Sequence, residues 1–353
     1  MKKKLLTLLL CFALCLPCAW VVANVIRIMR YTCGDFVFIV LDDGSAEIRQ
    51  YYGKDSVLEI PSEMRGHTVS RIGSRSFEWR FRLTDVTIPD SVREIGEGAF
   101  FGCYNLTEVG VPDSVTLIED KAFAQCRNME HFILPDSVRT LGSGVFEQCL
   151  RMREITLPAG IRFSGYNPFS DCPKLESLSI PEEDSSLFFQ DGILYRQEES
   201  GLRLICRLKA VSPEICVVPE DVRYVGPHAF YNCTDLSEVR LPEGLLAIED
   251  HAFYGCRRLT DVSIPPTVTA VGNAAFSGCT GLRSVSLPDG LSSIGFLAFY
   301  NCRNLTGLFL PESITEIGQG AFIGCPPEAI TAAPGSYAQK YCKDSKNNVM
   351  PEE

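Results

Sequence analysis

From about residue 80 to residue 325 the apolar positions follow neither a strict alternation nor a helical period; they recur as one compound pattern every 23 residues. The stretch Leu106 to Cys126, LTEVGVPDSVTLIEDKAFAQC, shows it once. Leu106, Val109 and Val111 lead into Pro112, and equivalent runs occur at Leu259, Val262, Ile264 and at Leu282, Val285, Leu287. Such β-branched residues suit a short extended segment, which proline ends by removing a ladder donor. Val115 and Ile118 are expected to face inward in a second short segment. A glycine follows in most copies (Gly96, Gly142, Gly226, Gly272, Gly295, Gly318), and the pattern predicts a positive φ for it at a sharp corner, although Glu119 and Glu249 stand there in two copies. An Ala-Phe pair then opens a turn that turns a large ring inward, and a cysteine closes the unit. No segment keeps a helical period beyond about one turn, so each unit is read as two short strands with little helix.

The beat is carried by Pro89, Pro112, Pro135, Pro158 and Pro181, then by Pro219, Pro242, Pro265, Pro288 and Pro311. Phe100, Phe123, Phe146 and Phe169 keep it before the gap; Phe230, Phe253, Phe276, Phe299 and Phe322 keep it after. A fixed period of this length predicts a solenoid. A single unit cannot enclose its own apolar residues, whereas stacked coils hide each Leu, Ile and Phe, at roughly 1.5–3 kcal/mol per large side chain buried.

The pattern Leu-x-x-Val-x-Ile-Pro-x-x-Val-x-x-Ile-Gly-x-x-Ala-Phe-x-x-Cys resembles the BspA-type leucine-rich repeat of bacterial surface proteins, over about residues 31 to 342. Gly34-Asp35-Phe36 through Asp42-Asp43-Gly44 to Ile60-Pro61 and Gly66-His67-Thr68-Val69 is similar to that family's N-terminal cap. Gly335-Ser336-Tyr337-Ala338 is similar to its closing coil, where Glu328 and Thr331 occupy the leucine and valine positions as a polar cap would require. The 38 residues from Pro181 to Pro219 break the phase; Phe188–Tyr195 and Leu202–Ile205, flanking Glu198-Glu199-Ser200-Gly201, read as a hairpin. The resulting division is an export signal (1–23), an N-terminal cap with a first atypical repeat (31–88), repeats (89–181), an inserted hairpin (182–218), repeats (219–325), a C-terminal cap (326–342) and a disordered tail (343–353). What the resemblance implies is a non-enzymatic class of activity, binding and adhesion at a cell surface, without naming a partner.

Charge narrows the partners. The formal net charge is -11, and it would be -14 without Lys2, Lys3 and Lys4. With no basic stripe, nucleic acid is excluded as a natural partner. Those lysines, the apolar run Leu5 to Leu16 and the small Ala23 read as a secretory signal ending near residue 23; an uncleaved anchor over residues 5–26 is the alternative, and the only membrane contact expected. Nine cysteines lie in register: Cys103, Cys126, Cys149, Cys172, Cys233, Cys256, Cys279, Cys302 and Cys325. Equivalent Cβ atoms on adjacent coils would sit about 4.8 Å apart and parallel, where a disulfide wants about 3.8 Å, so the ladder is read as packing. Cys33, Cys206, Cys216 and Cys342 are out of register and open to pairing. No zinc spacing, catalytic pairing or phosphate loop appears after residue 23, so neither cofactor nor metal is expected. His228 and His251, one period apart, should stack beside Asp250 in a slot that holds Lys121, Ala274 and Leu297 elsewhere, which reads as unconstrained.

The x positions of the first strand point outward. One row holds Asp85, Glu108, His131, Glu154, Ser177, Glu238, Asp261, Ser284 and Gly307 and is largely acidic; the next is small and hydroxylated, broken by the apolar Ile133 and Phe309. Asp85, Glu108, Ile133, Glu154, Glu238, Asp261 and Phe309 are the candidate contacts for a protein or glycan ligand. Arg127, Arg257, Arg258 and Arg303 give the turn edge the opposite sign.

Overall fold

Hydrogen bonds between successive coils set the frame. Phe100 N–H donates to Ala122 C=O, Phe253 N–H to Ala275 C=O, and Gly142 N–H to Ile118 C=O, each bond joining one coil to the next. The computed structural model describes residues 30–182 and 184–344; the signal or anchor and the end of the tail lie outside the described residues. It is a β-solenoid of about 12 turns, in which Tyr337–Lys343 is the only α-helix among the described residues, beside one 3-10 turn. Each regular coil gives a three- or four-residue strand to one side, such as Asp85–Thr87 and Glu108–Gly110, and a two-residue strand to the other, such as Glu94–Ile95 and Leu117–Ile118. Both sides pair in parallel and in register. Between them runs the phenylalanine column, fully or almost fully buried, its rings 4.7 to 6.2 Å apart and nearly parallel. Beside it, the ladder thiols do more than fill space: Cys103, Cys126, Cys149 and Cys172 donate to the carbonyls of Phe77, Phe100, Phe123 and Phe146. Cys256, Cys279, Cys302 and Cys325 do the same to Phe230, Phe253, Phe276 and Phe299. Burial pushes the Cys103 and Cys149 thiols up to about 12, far from reactive thiolates. All thirteen cysteines of the described residues are free.

The corner glycines have ordinary negative φ, contrary to the sequence expectation. They are required by close approach instead: a Cβ on Gly142 would lie 2.4 Å from the Asp120 nitrogen, and one on Gly295 would lie 2.6 Å from the Gly272 carbonyl carbon. Where glutamate replaces glycine, it is held by ion pairs, Glu119 to Arg71 and Glu249 to Arg203. The left-handed residue falls two positions later, at Gly98, Lys121, Gly144, His228, His251, Ala274, Leu297 and Gly320. The histidine slot is therefore constrained through its backbone, not unconstrained.

The N-terminal cap is a meander, Tyr31–Cys33, Phe36–Val40 and Ala46–Tyr51, whose last strand joins His67–Ile72 in parallel. The out-of-phase segment repeats that plan. It is three strands, not a two-stranded hairpin: Leu187–Gln190, Ile193–Glu198 and Gly201–Arg207, the last pairing in parallel with Val222–Val225. The extra turn is Asp191-Gly192, both residues at positive φ, as a tight two-residue hairpin loop demands. Both faces of this meander are buried. Leu187, Leu194, Ile205 and Cys206 close the core of the preceding coils, while Ile193, Tyr195, Leu202 and Leu204 open the core of the following ones. The segment is a septum between two stacks rather than a protrusion.

At the far end the last coil is one residue short, since Leu308 pairs with Ile330 and Phe309 with Thr331. Ile330 thus takes the inward position expected for Thr331. Tyr341, on the final helix, lays its ring against Phe322 and donates its hydroxyl to Gly318 C=O at 2.9 Å.

Two substitutions separate close approach from φ. Gly295→Ala should cost roughly 1–3 kcal/mol by overpacking, whereas Gly98→Asn, with 3.4 Å of room and φ of +58°, should cost well under that. Phe253→Ala should cost roughly 3–5 kcal/mol. Urea unfolding of the purified variants measures all three, and a Gly98→Asn loss exceeding that of Gly295→Ala would reverse the assignment.

Candidate functional site

The outward rows of the first strand lie where the 23-residue period places them. Asp85 is beside Glu108, His131 beside Glu154, and Asp261 beside Ser284. The row is acidic but not bare. His131 Nδ1 stands 3.7 Å from Glu154, Arg240 bonds Glu238 at 2.7 Å, and hydrogen bonds from Ser284 and Thr260 hold the Asp261 carboxyl below its usual range. Ile133 and Phe309 project into solvent, 73% and 54% exposed. A shallow cleft of about 730 Å³ joins Asp85, Glu108, His131 and Ile133. Three apolar residues on the same face escaped the sequence reading: Val57, Ile215 and Val217. Val57 pairs with Asp85, Ile215 with Glu238 and Val217 with Arg240; counting back one period from Glu238 and Arg240 finds the last two. On the turn edge, Arg258 pairs with Glu214 at 3.1 Å and Arg127 lies over the Tyr104 ring, so part of that positive charge is already engaged.

A second concavity opens on the opposite side, where the septum interrupts the stack. In a regular coil the residue two positions after the corner bonds a carbonyl 22 positions on; here Asn167 N–H reaches Pro227 C=O, 60 positions on. The septum supplies the missing neighbour of Val222–Val225 and of the corner Gly226, and again at the phenylalanine column, with Arg207 N–H bonding Ala229 C=O as a column residue does. Arg207 therefore stands in a phenylalanine position. Its side chain is fully buried and bonds Asp235 at 2.7 Å and the Pro213 carbonyl at 2.7 Å. Arginine without these partners would be untenable there.

The two-residue strands stop at this seam. Arg162–Phe163 is the last strand of the first sheet, and the next sheet begins with the septum. The result is a notch of about 920 Å³ whose walls include Phe163, Tyr166, Arg196, Arg203, His228 and His251. Arg203 is tied to Glu198 and Glu249 and lies over Tyr224. Arg196 lies over the Phe163 ring at 4.8 Å and has no ion pair among the described residues. His228 is stacked between Tyr166 at 4.0 Å and Tyr231 at 4.7 Å, with His251 at 4.8 Å. The expected histidine pairing is thus real, but rings surround it, and no three His, Cys, Asp or Glu among the described residues converge as a metal site.

Burial first, then the neighbouring His251 and Lys121, push the His228 imidazole down to about 3. The folded chain keeps this ring neutral where the unfolded chain would take up a proton, near pH 6.5 and below. Stability present above pH 6.5 is accordingly lost as the pH falls toward 3. Between pH 6.5 and 5 this group should cost at most about 1.4 kcal/mol per pH unit. His228→Asn, which suits the left-handed backbone, should flatten the dependence in urea unfolding; an unchanged slope would mean that the ring is not shielded.

The BspA type leucine rich repeat region model matches six copies, over residues 70–193 and 209–328. No curated protein matches the chain. A leucine rich cell surface protein of Faecalibacterium prausnitzii is 27% identical with a TM-score of 0.62, covering 92% of this chain and 99% of that one. A leucine-rich repeat protein of Eubacterium ventriosum (22% identity, TM-score 0.62, covering 87% of this chain and 96% of that one) shares the fold. So does the pneumococcal vaccine antigen PcpA (18%, 0.58, covering 86% and 82%). With matched segments over more than half its length, the chain belongs to the BspA-type leucine-rich repeat family.

Proposed function

We propose that the protein is an exported, cell-surface binding module that holds a protein ligand across the face of its first strands. The observation that carries this reading is the face itself. Carboxylates at Asp85, Glu108, Glu154, Glu238 and Asp261 share one face with the exposed apolar Ile133, Val217 and Phe309, on parallel ladders of two to four strands. Rigid rows bind without an ordering cost, and apolar anchors among charges supply affinity while the charges steer encounter. Membership in a family of repeat proteins, and similarity to a protein described as a cell surface protein, support the placement. No helix of the described residues is long and apolar enough to cross a membrane; cleavage after residue 23 or retention by residues 5–26 decides between a released module and an envelope scaffold.

The test is an array of extracellular-matrix and bacterial envelope proteins probed with purified residues 30–344. A protein captured by the wild type should lose at least tenfold in affinity with Ile133→Ser combined with Phe309→Ser. Replacing Glu108, Glu154 and Asp261 by serine should chiefly slow association and weaken its salt dependence. Capture that is indifferent to both sets would remove the strand face from the binding reading.

A further inference from the structure

We propose that the seam between the two stacks is a second binding site, and that it takes an extended acidic segment of a protein partner. The site lies on the opposite sheet from the face discussed above and does not depend on it. Three observations meet there.

Arg196 is a half-buried cation that the fold leaves uncompensated. No carboxylate among the described residues is within ion-pair range of it, and its Nη2 is buried without a hydrogen-bond partner. Glu198 and Asp184 act on it only at longer range, and the neighbouring Arg162, itself exposed and without an ion pair among the described residues, adds charge of the same sign. Arg203, directly opposite Arg196 on the adjoining strand, is already engaged by Glu198 and Glu249. Arg196 in the notch wall and Arg162 beside it are thus two arginines without an ion pair among the described residues, on a chain whose net charge is -11. Of the carboxylates lining the notch, Glu249 is tied to Arg203 and Asp250 to Asn273. A half-buried guanidinium gains most from a carboxylate it can meet in two parallel bonds.

The second observation is the wall. It includes Phe163, Pro227, Ala247 and the exposed Ala270, and although Ser164 and Asn167 also line it, most of the surface it offers is carbon. That favours small apolar side chains over the hydroxyl-rich surface of a sugar.

The third is the edge. Arg162–Phe163 pairs on one side only, with Thr140–Leu141; among the described two-residue strands that follow the corner-side ladder, the same holds only for Glu316–Ile317 at the C-terminal end of the second stack. A free strand edge facing a notch receives an extended chain by main-chain pairing, with alternate side chains turned to the wall and to the mouth. Apolar side chains then meet the wall while acidic ones meet Arg196 and Arg162.

The experiment uses residues 30–344 and a labelled, terminally blocked peptide of alternating glutamate and leucine. Fluorescence anisotropy compares it with the glutamine–leucine counterpart and with a polyuronate oligosaccharide. The acidic peptide should bind at least tenfold more tightly than the glutamine version and weaken as salt is raised. Arg196→Gln and Arg162→Gln together should remove that preference. Ala270→Trp, at an exposed position, should fill the notch and lower affinity at least tenfold with the melting temperature unchanged, which keeps the test valid should the arginine variant fold poorly. Ile133→Ser, on the other face, should leave the peptide's affinity within twofold. Equal binding of the two peptides, binding that survives Ala270→Trp, loss of binding with Ile133→Ser, or capture of the polyuronate in place of the peptide would each overturn the proposal.

Discussion

One constraint governs this molecule: each coil must lie against the next at the distance that a parallel backbone hydrogen bond allows. That spacing is about 4.8 Å, and every repeated residue answers to it. The corner glycine exists because the preceding coil's main chain occupies the space a Cβ would need. The phenylalanines stack because identical rings on identical coils arrive at nearly that separation, offset and almost parallel. The cysteine thiol gives a second donor to a phenylalanine carbonyl that already accepts a main-chain N–H, while keeping an apolar surface toward the core. Two left-handed residues per coil, such as His251 and Gly255, complete a turn tight enough to hold the period.

The same constraint explains what happens when the period fails. A stack of coils transmits its register from one to the next, so an out-of-phase segment must either bulge outward or end one stack and begin another. This chain does the second. The segment from Leu187 to Arg207 is apolar on both faces, as a strand covered on both sides must be. Its pairing order reproduces that of the N-terminal cap. The cost of the junction is concentrated at Arg207, where a charged side chain replaces a ring and is matched by Asp235 and by main-chain carbonyls. The proposed binding surfaces rest on the same geometry: the first-strand side presents its rows in four short sheets on both sides of the junction, while the opposite sheet, continuous within each stack, splits at the junction and leaves a notch.

Much of this is legible in the amino-acid sequence because repetition amplifies a weak local signal. A single Val-x-Ile-Pro says little, but ten prolines that start units of one plan determine coil length, the inward positions and the outward rows. What depends on a contact between coils is harder to read. The glycine at Gly142 or Gly295 looks like a conformational requirement until the neighbouring backbone is in view. The Asp191-Gly192 turn was present as a dipeptide, yet the apolar run around it, Phe188 to Tyr195, disguised two strands as one. Arg207 sits one period before Phe230, but nothing local marks it as buried; only Asp235, 28 residues on, makes the position tolerable. The seam was invisible for the same reason, since Tyr166 and His228 lie 62 positions apart and meet only because the septum fills half a coil.

Native-state hydrogen exchange under rising denaturant tests the central claim, that the septum divides one repeat array into two stacks with separate cores. The amides that bridge coils from Phe77 to Phe146 and those from Phe230 to Phe299 should open as two sub-global units with distinct free energies and denaturant slopes, and those of Ile193–Glu198 should follow the less stable of the two. A single opening transition shared by both sets, with no break at the septum, would contradict the account and make the array one continuous core.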